Sequence, residues 1–229
     1  MEGRGGEGSV MTGLECPWNY IVVEGVIGVG KTSLCRLLGE SLDARVNLEV
    51  VEENPFLARF YDDRAAHAFV TQMFFLLSRY KQQQKLTQRE LFGSRTVSDY
   101  LFAKDRIFAN LNLEEDELRL YESVADVLDE KVPRPELVIY LQASTEVLLQ
   151  RIAWRGRPYE RNMDPDYIQS LNEAYNYFFF HYDETPLLIV NCNDLDFVRN
   201  RSHYQDLLQR VVQPLTGTQI YVPSWMEQE

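Results

Sequence analysis

Two rhythms of apolar positions alternate along this chain, short β-branched runs that predict strands and longer stretches with a three-to-four-residue period that predict helices. The run YIVVEG near 19–24 predicts a first strand, followed by a loop over 25–30 and a helix of about a dozen residues through SLCRLLGESL. VNLEVVEE predicts a second strand ending at Glu52 and Glu53. Asn54 and Pro55 break it there, because proline restricts the residue before it and has no N–H for a ladder. PFLARFY predicts a short helix. A long one follows over about 65–91, with Phe69, Met73, Leu76, Leu77 and Tyr80 at helical spacing. RTVSD predicts a short strand, and the acid-rich stretch 112–131 a helix carrying Leu118, Tyr121, Val124, Ala125 and Leu128 on one face. ELVIYLQ then predicts a strand, 145–155 a helix, DYIQSLNEAYNYFFFHY another, PLLIVNC the last strand, and about 200–212 the final helix.

Strands alternating with helices predict an α/β fold whose sheet is parallel and covered by helices on both faces. The 229 residues fit a single domain over 17–215, between a flexible N-terminal tail (1–16) and a C-terminal tail (216–229). The Gly-rich first 16 residues have neither the apolar stretch of a secretory signal nor the Arg/Ser-rich character of an organellar presequence, so a cytoplasmic protein is expected. No apolar run approaches the roughly 20 residues that span a bilayer, which argues against a membrane partner. A net charge of −12 argues against a nucleic-acid polymer as partner, since that needs a basic face. Cys16, Cys35 and Cys192 are too scattered for a disulfide framework or a zinc site, and the three histidines suggest no chemistry.

Phosphate chemistry enters at GVIGVGKT, which fits G-x-x-x-x-G-K-[ST] between a predicted strand and a predicted helix. Glycines let successive N–H groups converge on phosphates, and the following helix presents its positive end. The expected ATP site is Gly25, Val26, Ile27, Gly28, Val29, Gly30, Lys31, Thr32 and Ser33. Lys31 is expected to reach the β- and γ-phosphates, and the Thr32 hydroxyl to join a Mg²⁺ shell. With the five strands read above, the motif makes the expected fold class a P-loop NTPase-type parallel five-stranded sheet, with a lid expected from the Arg-rich segment 150–161.

The acceptor is suggested by Glu52 and Glu53 at a strand end beside this loop, where α/β proteins bind ligands. A hydroxyl keeps its proton at neutral pH and gains from a nearby carboxylate, whereas a phosphate acceptor calls for cations. The lid is suggested by QRIAWRGRPYER, with Arg151, Arg155, Arg157 and Arg161 in a chain otherwise short of positive charge.

With these residues in view, the chain resembles the deoxynucleoside kinase family, in particular bacterial deoxyadenosine and deoxyguanosine kinases and the related deoxycytidine kinases. The resemblance covers about 20–208 and rests on EGVIGVGKTSL, VVEENPF, FYDDRAAHAFVTQMFFLLSR, SDYLFAKDRIFA, LLQRIAWRGRPYE and PLLIVN in that order. It implies ATP and Mg²⁺ as cofactors, a deoxynucleoside as substrate, and roles for particular residues. Glu53 falls where the family has its general base for the 5′-hydroxyl. Gln72 corresponds to the glutamine that pairs with the base edge, and Arg79 with Asp105 to a base-contacting pair. Tyr61 and Glu160 correspond to the pair on the 3′-hydroxyl. Asp99 corresponds to an acidic Mg²⁺-associated residue, Arg151, Arg155 and Arg157 to the lid arginines, and Asp196 and Phe197 to the loop against the adenine. Phe56, Phe60, Phe74 and Phe108 are candidate stacking faces, although aromatics at helical spacing more often belong to a core.

One departure stands out. Many family members have Glu-Arg-Ser after the third strand, and that arginine helps stabilise the phosphoryl group and the base carboxylate. Here the run is Asp99-Tyr100-Leu101. Arg106, Lys104 or Arg95 substitutes for the arginine, or the lid arginines suffice. The expected activity is an ATP-dependent deoxynucleoside 5′-kinase of nucleotide salvage, purine-preferring with deoxycytidine also open. The competing readings are a thymidylate-type monophosphate kinase and a low-turnover nucleotide-binding partner subunit. The resemblance also implies a homodimer through the two long helices.

Overall fold

The computed structural model describes residues 15–50, 53–90, 94–160 and 163–224. β1 (Tyr20–Gly25) and β4 (Leu137–Gln142) are near-continuous apolar runs and are buried almost throughout. That pattern belongs to parallel strands covered on both faces. They pair in register from Ile21 with Leu137 to Gly25 with Leu141. On the other side of β1 lies β3 (Thr96–Ser98), and beyond it β2 (Arg45–Asn47). β5 (Leu187–Asn191) and β6 (Thr218–Tyr221) extend the sheet past β4, so the order is β2-β3-β1-β4-β5-β6, all parallel. The chain runs to one side of β1 through β2 and β3, then to the other through β4. The carboxyl end of β1 is therefore the switch point where such sheets open a crevice.

The sheet has six strands rather than the five expected. The sixth lies inside the segment read as a C-terminal tail: TQIY is short, its first three residues are exposed, and it pairs on one side only. An edge strand of that kind carries no apolar alternation to read. β2 is also far shorter than VNLEVVEE suggests. Its partner β3 ends at Ser98, and beyond that point the side chain of Asp99 takes the Glu49 N–H at 2.6 Å in place of a ladder bond. Glu52, Arg161 and residues 1–14 of the expected N-terminal tail lie outside the described residues.

The helices follow their start and stop chemistry. α1 (Lys31–Ser41) leaves the phosphate loop directly. α2 (Leu57–Asp62) and the long α3 (Arg64–Glu90) follow, then α4 (Lys104–Asn112) and α5 (Glu115–Asp129), the last opened by a capping box between Glu114 and Glu117. α6 (Thr145–Arg155) starts at a Ser144 cap that accepts the Val147 N–H and stops at Gly156, whose φ of 67° ends the helix. α7 (Pro165–Phe180) begins with proline after an Asp164 cap, and α8 (Arg201–Val211) with an Asn200 cap. Helix α4 has no counterpart among the elements expected from sequence. Its buried positions include Lys104 and Asp105, so the face it turns inward is charged and leaves no hydrophobic period. Leu76, Phe102, Ala109, Tyr121 and Ala125 form a second core that packs α3, α4 and α5 together. That layer holds α3 against the crevice.

Candidate active site

The phosphate loop closes between β1 and α1. Gly28 and Gly30 take φ values of 90° and 114°, a region side chains disfavour. A Cβ on Gly28 would stand 2.8 Å from Ile152 Cγ1 and 3.0 Å from Leu148 O, so α6 packs straight onto the loop. A Cβ on Gly30 would stand 3.1 Å from the Phe197 ring. Phe197 is thus placed against the loop, and the Asp196 carboxylate shapes that segment by accepting the N–H groups of Val198 and Arg199. Lys31 folds back so that Nζ donates to Gly25 O at 2.5 Å and lies 4.0 Å from Glu24 Oε1. Burial lowers the pKa of this ammonium, and the Glu24 carboxylate opposes that shift. Thr32 Oγ1 donates to Asp99 Oδ2 at 2.6 Å, bringing the two expected metal-associated residues together at the mouth of the loop. Hydroxyl and carboxylate oxygens suit Mg²⁺. That ion usually takes one or two protein ligands and fills the rest of its shell with water and phosphate. Among the described residues no group of three His, Cys, Asp or Glu could hold a metal alone.

From this loop a cavity of about 650 Å³ runs toward α3, a volume typical of small-molecule sites. Gln72, Phe75 and Arg79 lie on one face of α3 and all line it. Gln72 is buried, and its amide has no partner among the described residues, so donor and acceptor both remain free toward the cavity. Tyr61 and Glu160 line the same wall, linked by Tyr159, whose ring stacks on that of Tyr61 at 6.1 Å. Burial, with Tyr167 and Glu160 adding to it, pushes the Tyr61 hydroxyl well above its ordinary pKa, keeping it a neutral donor. Arg79 pairs with Asp105 as expected, but Asp105 lies behind it and does not line the cavity. Phe60, Phe75 and Phe108 reach the cavity, whereas Phe56 and Phe74 do not and pack edge-to-face on each other.

The carboxylate at the strand end differs from the one expected. Glu53 is exposed and is not among the cavity-lining residues. Glu49 lines the cavity instead, two residues past the end of β2. Its Oε1 accepts from Arg79 Nε at 2.8 Å and its Oε2 from Lys104 Nζ at 2.8 Å. Burial pushes this carboxyl up, but Arg79 and Lys104 outweigh it and hold the group well below the usual carboxylate range. Because β2 stops at Asn47, the first side chains past its end are those near position 49. Glu53, six residues past the end of β2, lies too far along the chain to serve as that strand end.

The arginines divide. Arg151 donates to Val29 O at 3.0 Å and Cys192 O at 2.8 Å, strapping α6 to the phosphate loop and the end of β5. Arg155 clasps Glu160 with contacts of 2.5 and 3.2 Å. Arg157 donates to the Tyr159 hydroxyl at 2.8 Å. All three line the cavity above the loop. Trp154 and Arg199, absent from the expected set, also line its donor end, with the guanidinium 5.3 Å from the indole centroid.

A family model described as deoxynucleoside kinase matches residues 21–216. The chain belongs to the deoxynucleoside kinase family. Over 197 residues, 84% of this kinase, it is 34% identical to a deoxyguanosine kinase of Bacillus subtilis, 95% of which is covered. Over 209 residues it is 30% identical to a deoxyadenosine kinase of Lactobacillus acidophilus, covering 85% of this chain and 95% of that one. A deoxyadenosine kinase from M. mycoides, solved with products dCMP and a flexible dCDP bound, superposes with a TM-score of 0.71 at 25% identity. That match covers 83% of this chain and 97% of the other. The protein is therefore a phosphotransferase of the deoxynucleoside kinase family.

Proposed function

We propose that this kinase transfers the γ-phosphoryl group of ATP to the 5′-hydroxyl of a deoxynucleoside, preferring purines with deoxycytidine as a secondary substrate, in cytoplasmic nucleotide salvage. The observation that carries the reading is that Lys31 and Glu49 line one cavity together with the unpaired amide of Gln72. Lys31 and the loop amides bind the donor's phosphates. Mg²⁺ held by Thr32 and Asp99 would neutralise charge on those phosphates. Gln72 reads the base edge through one donor and one acceptor in a plane. Tyr61 and Glu160 hold the 3′-hydroxyl, and Arg155 and Arg157 exclude water above the transferring group. The 5′-oxygen bonds to the γ-phosphorus as the bond to the ADP oxygen breaks, ADP leaves with that electron pair, and the hydroxyl proton passes to Glu49. A carboxylate held so firmly by two cations is a weak base, so its larger contribution is to orient the hydroxyl.

The purine preference draws on Arg79 backed by Asp105 and on relatives named deoxyguanosine and deoxyadenosine kinases. Equal concentrations of the four natural deoxynucleosides with ATP test it by product yield, and thymidine as best substrate overturns it. For the acceptor carboxylate, E49Q is expected to lower kcat about 10²–10⁴-fold, while E53Q stays close to the parent enzyme. The reverse order would return the role to Glu53.

The proposal extends to a homodimer. Helices α3 and α5 expose Val70 and Leu77 on one and Leu120 and Val127 on the other. Each pair is seven residues apart and so lies on one face of its helix.

A further inference from the structure

Tyr100, two residues past the end of β3, brings no charge to the site. It is fully buried and its hydroxyl accepts the Asn47 amide N–H at 3.3 Å. Three nearby cations remain to be compared. Arg95 spends its guanidinium on the carbonyls of Trp18, Leu42 and Cys16, at the opposite end of β3 from the cavity. Arg106 pairs with Asp126 at 2.7 Å on the outer surface between α4 and α5. Lys104 is 3% exposed, lines the cavity, and places Nζ 2.8 Å from Glu49 Oε2 and 3.8 Å from Glu24 Oε2. A buried ammonium is stable only where carboxylates compensate it. Here Glu24 is fixed in turn by the N–H groups of Gly25 and Leu101.

We propose that Lys104 is the positioning residue for the acceptor carboxylate: it anchors Glu49 Oε2 from α4 while Arg79 anchors Oε1 from α3. The two oxygens of Glu49 are thereby shared between two helices. Each cation blocks a different rotation of the carboxylate, so losing Lys104 leaves Glu49 tethered on one side only.

This inference rests on Glu49 being the acceptor carboxylate, and the test keeps the two apart. Steady-state kinetics with deoxyguanosine or deoxyadenosine and ATP compare the parent with K104M, K104R, E49Q and the double variant E49Q/K104M. A positioning loss of this kind is about 10²-fold. K104M is expected to lose that much in kcat with little change in the KM for ATP, and K104R to recover most of it. In the E49Q background K104M should cost nothing further in kcat, because the carboxylate it positions is gone. Should K104M fail to fold, K104Q replaces it, keeping chain length and polarity without the charge. A neutral variant with near-parental kcat, or losses that multiply in the double variant, overturns the role of Lys104. An active E49Q overturns the assignment of Glu49 instead, whatever Lys104 does.

Discussion

Gln72, Glu49 and the cysteines show how far a side chain's chemistry depends on its burial. Gln72 is an amide with open donor and acceptor facing a cavity, so Q72A should raise the KM for a deoxynucleoside. The loss of one buried hydrogen-bonded pair, about 1–3 kcal/mol, corresponds to roughly five- to 150-fold in kcat/KM. The KM for ATP should stay put, and a parallel loss for ATP would contradict base reading by this residue. Burial pushes the Cys192 thiol up to about 12 and the Cys35 thiol well above its usual range. Both should resist a thiolate-selective reagent at pH 8 until the protein unfolds, while half-exposed Cys16 reacts; a count of labelled thiols before and after denaturant checks this. Lys31 and Thr32 follow from the phosphate-loop motif, and the family resemblance pointed to Gln72, Tyr61, Asp99 and Glu160, all of which line the cavity. Glu49 was legible from neither. The run from 49 to 53 contains three glutamates, and choosing among them requires knowing where β2 stops, which depends on the length of β3 rather than on β2's own residues.

The elements explain why the phosphate loop tolerates so little. Gly28 combines a φ of 90° with a Cβ position already occupied by Ile152 and the Leu148 carbonyl. G28A should therefore cost about 1–3 kcal/mol. It should also weaken ATP binding, because relief requires α6 and the loop to separate; a melting curve and an ATP titration read the two effects, and an unchanged Tm would contradict the packing. The ends of α6 were readable from sequence because Ser144 and Gly156 punctuate them. Helix α4 was hidden for the opposite reason. Its buried face carries Lys104 and Asp105, whose partners come from β1, from the chain after β2 and from α3, and no periodicity within nine residues can announce them.

At the scale of the whole molecule, two adjacent helices leave aliphatic side chains in water. Val70, Leu77, Leu120 and Val127 are each at least 40% exposed, and the proposed homodimer would bury them across a two-fold axis. The variant L77R/V127R should run as a monomer in sedimentation, with kcat retained if each cavity is complete within one chain. A parent protein that is monomeric at micromolar concentration would remove the homodimer from the reading. Among the described residues no helix is long and apolar enough to cross a membrane.

By itself the sequence determined the class of fold and the phosphate loop. These follow from local signals: apolar period, caps, glycines and a motif whose spacing is set by the phosphates it fits. Tertiary structure alone decided the number of strands, which of the glutamates lines the cavity and the cation beside it. Edge strands and buried ion pairs owe their stability to partners far away in the chain, and the energy of a buried charge depends on what surrounds it in space.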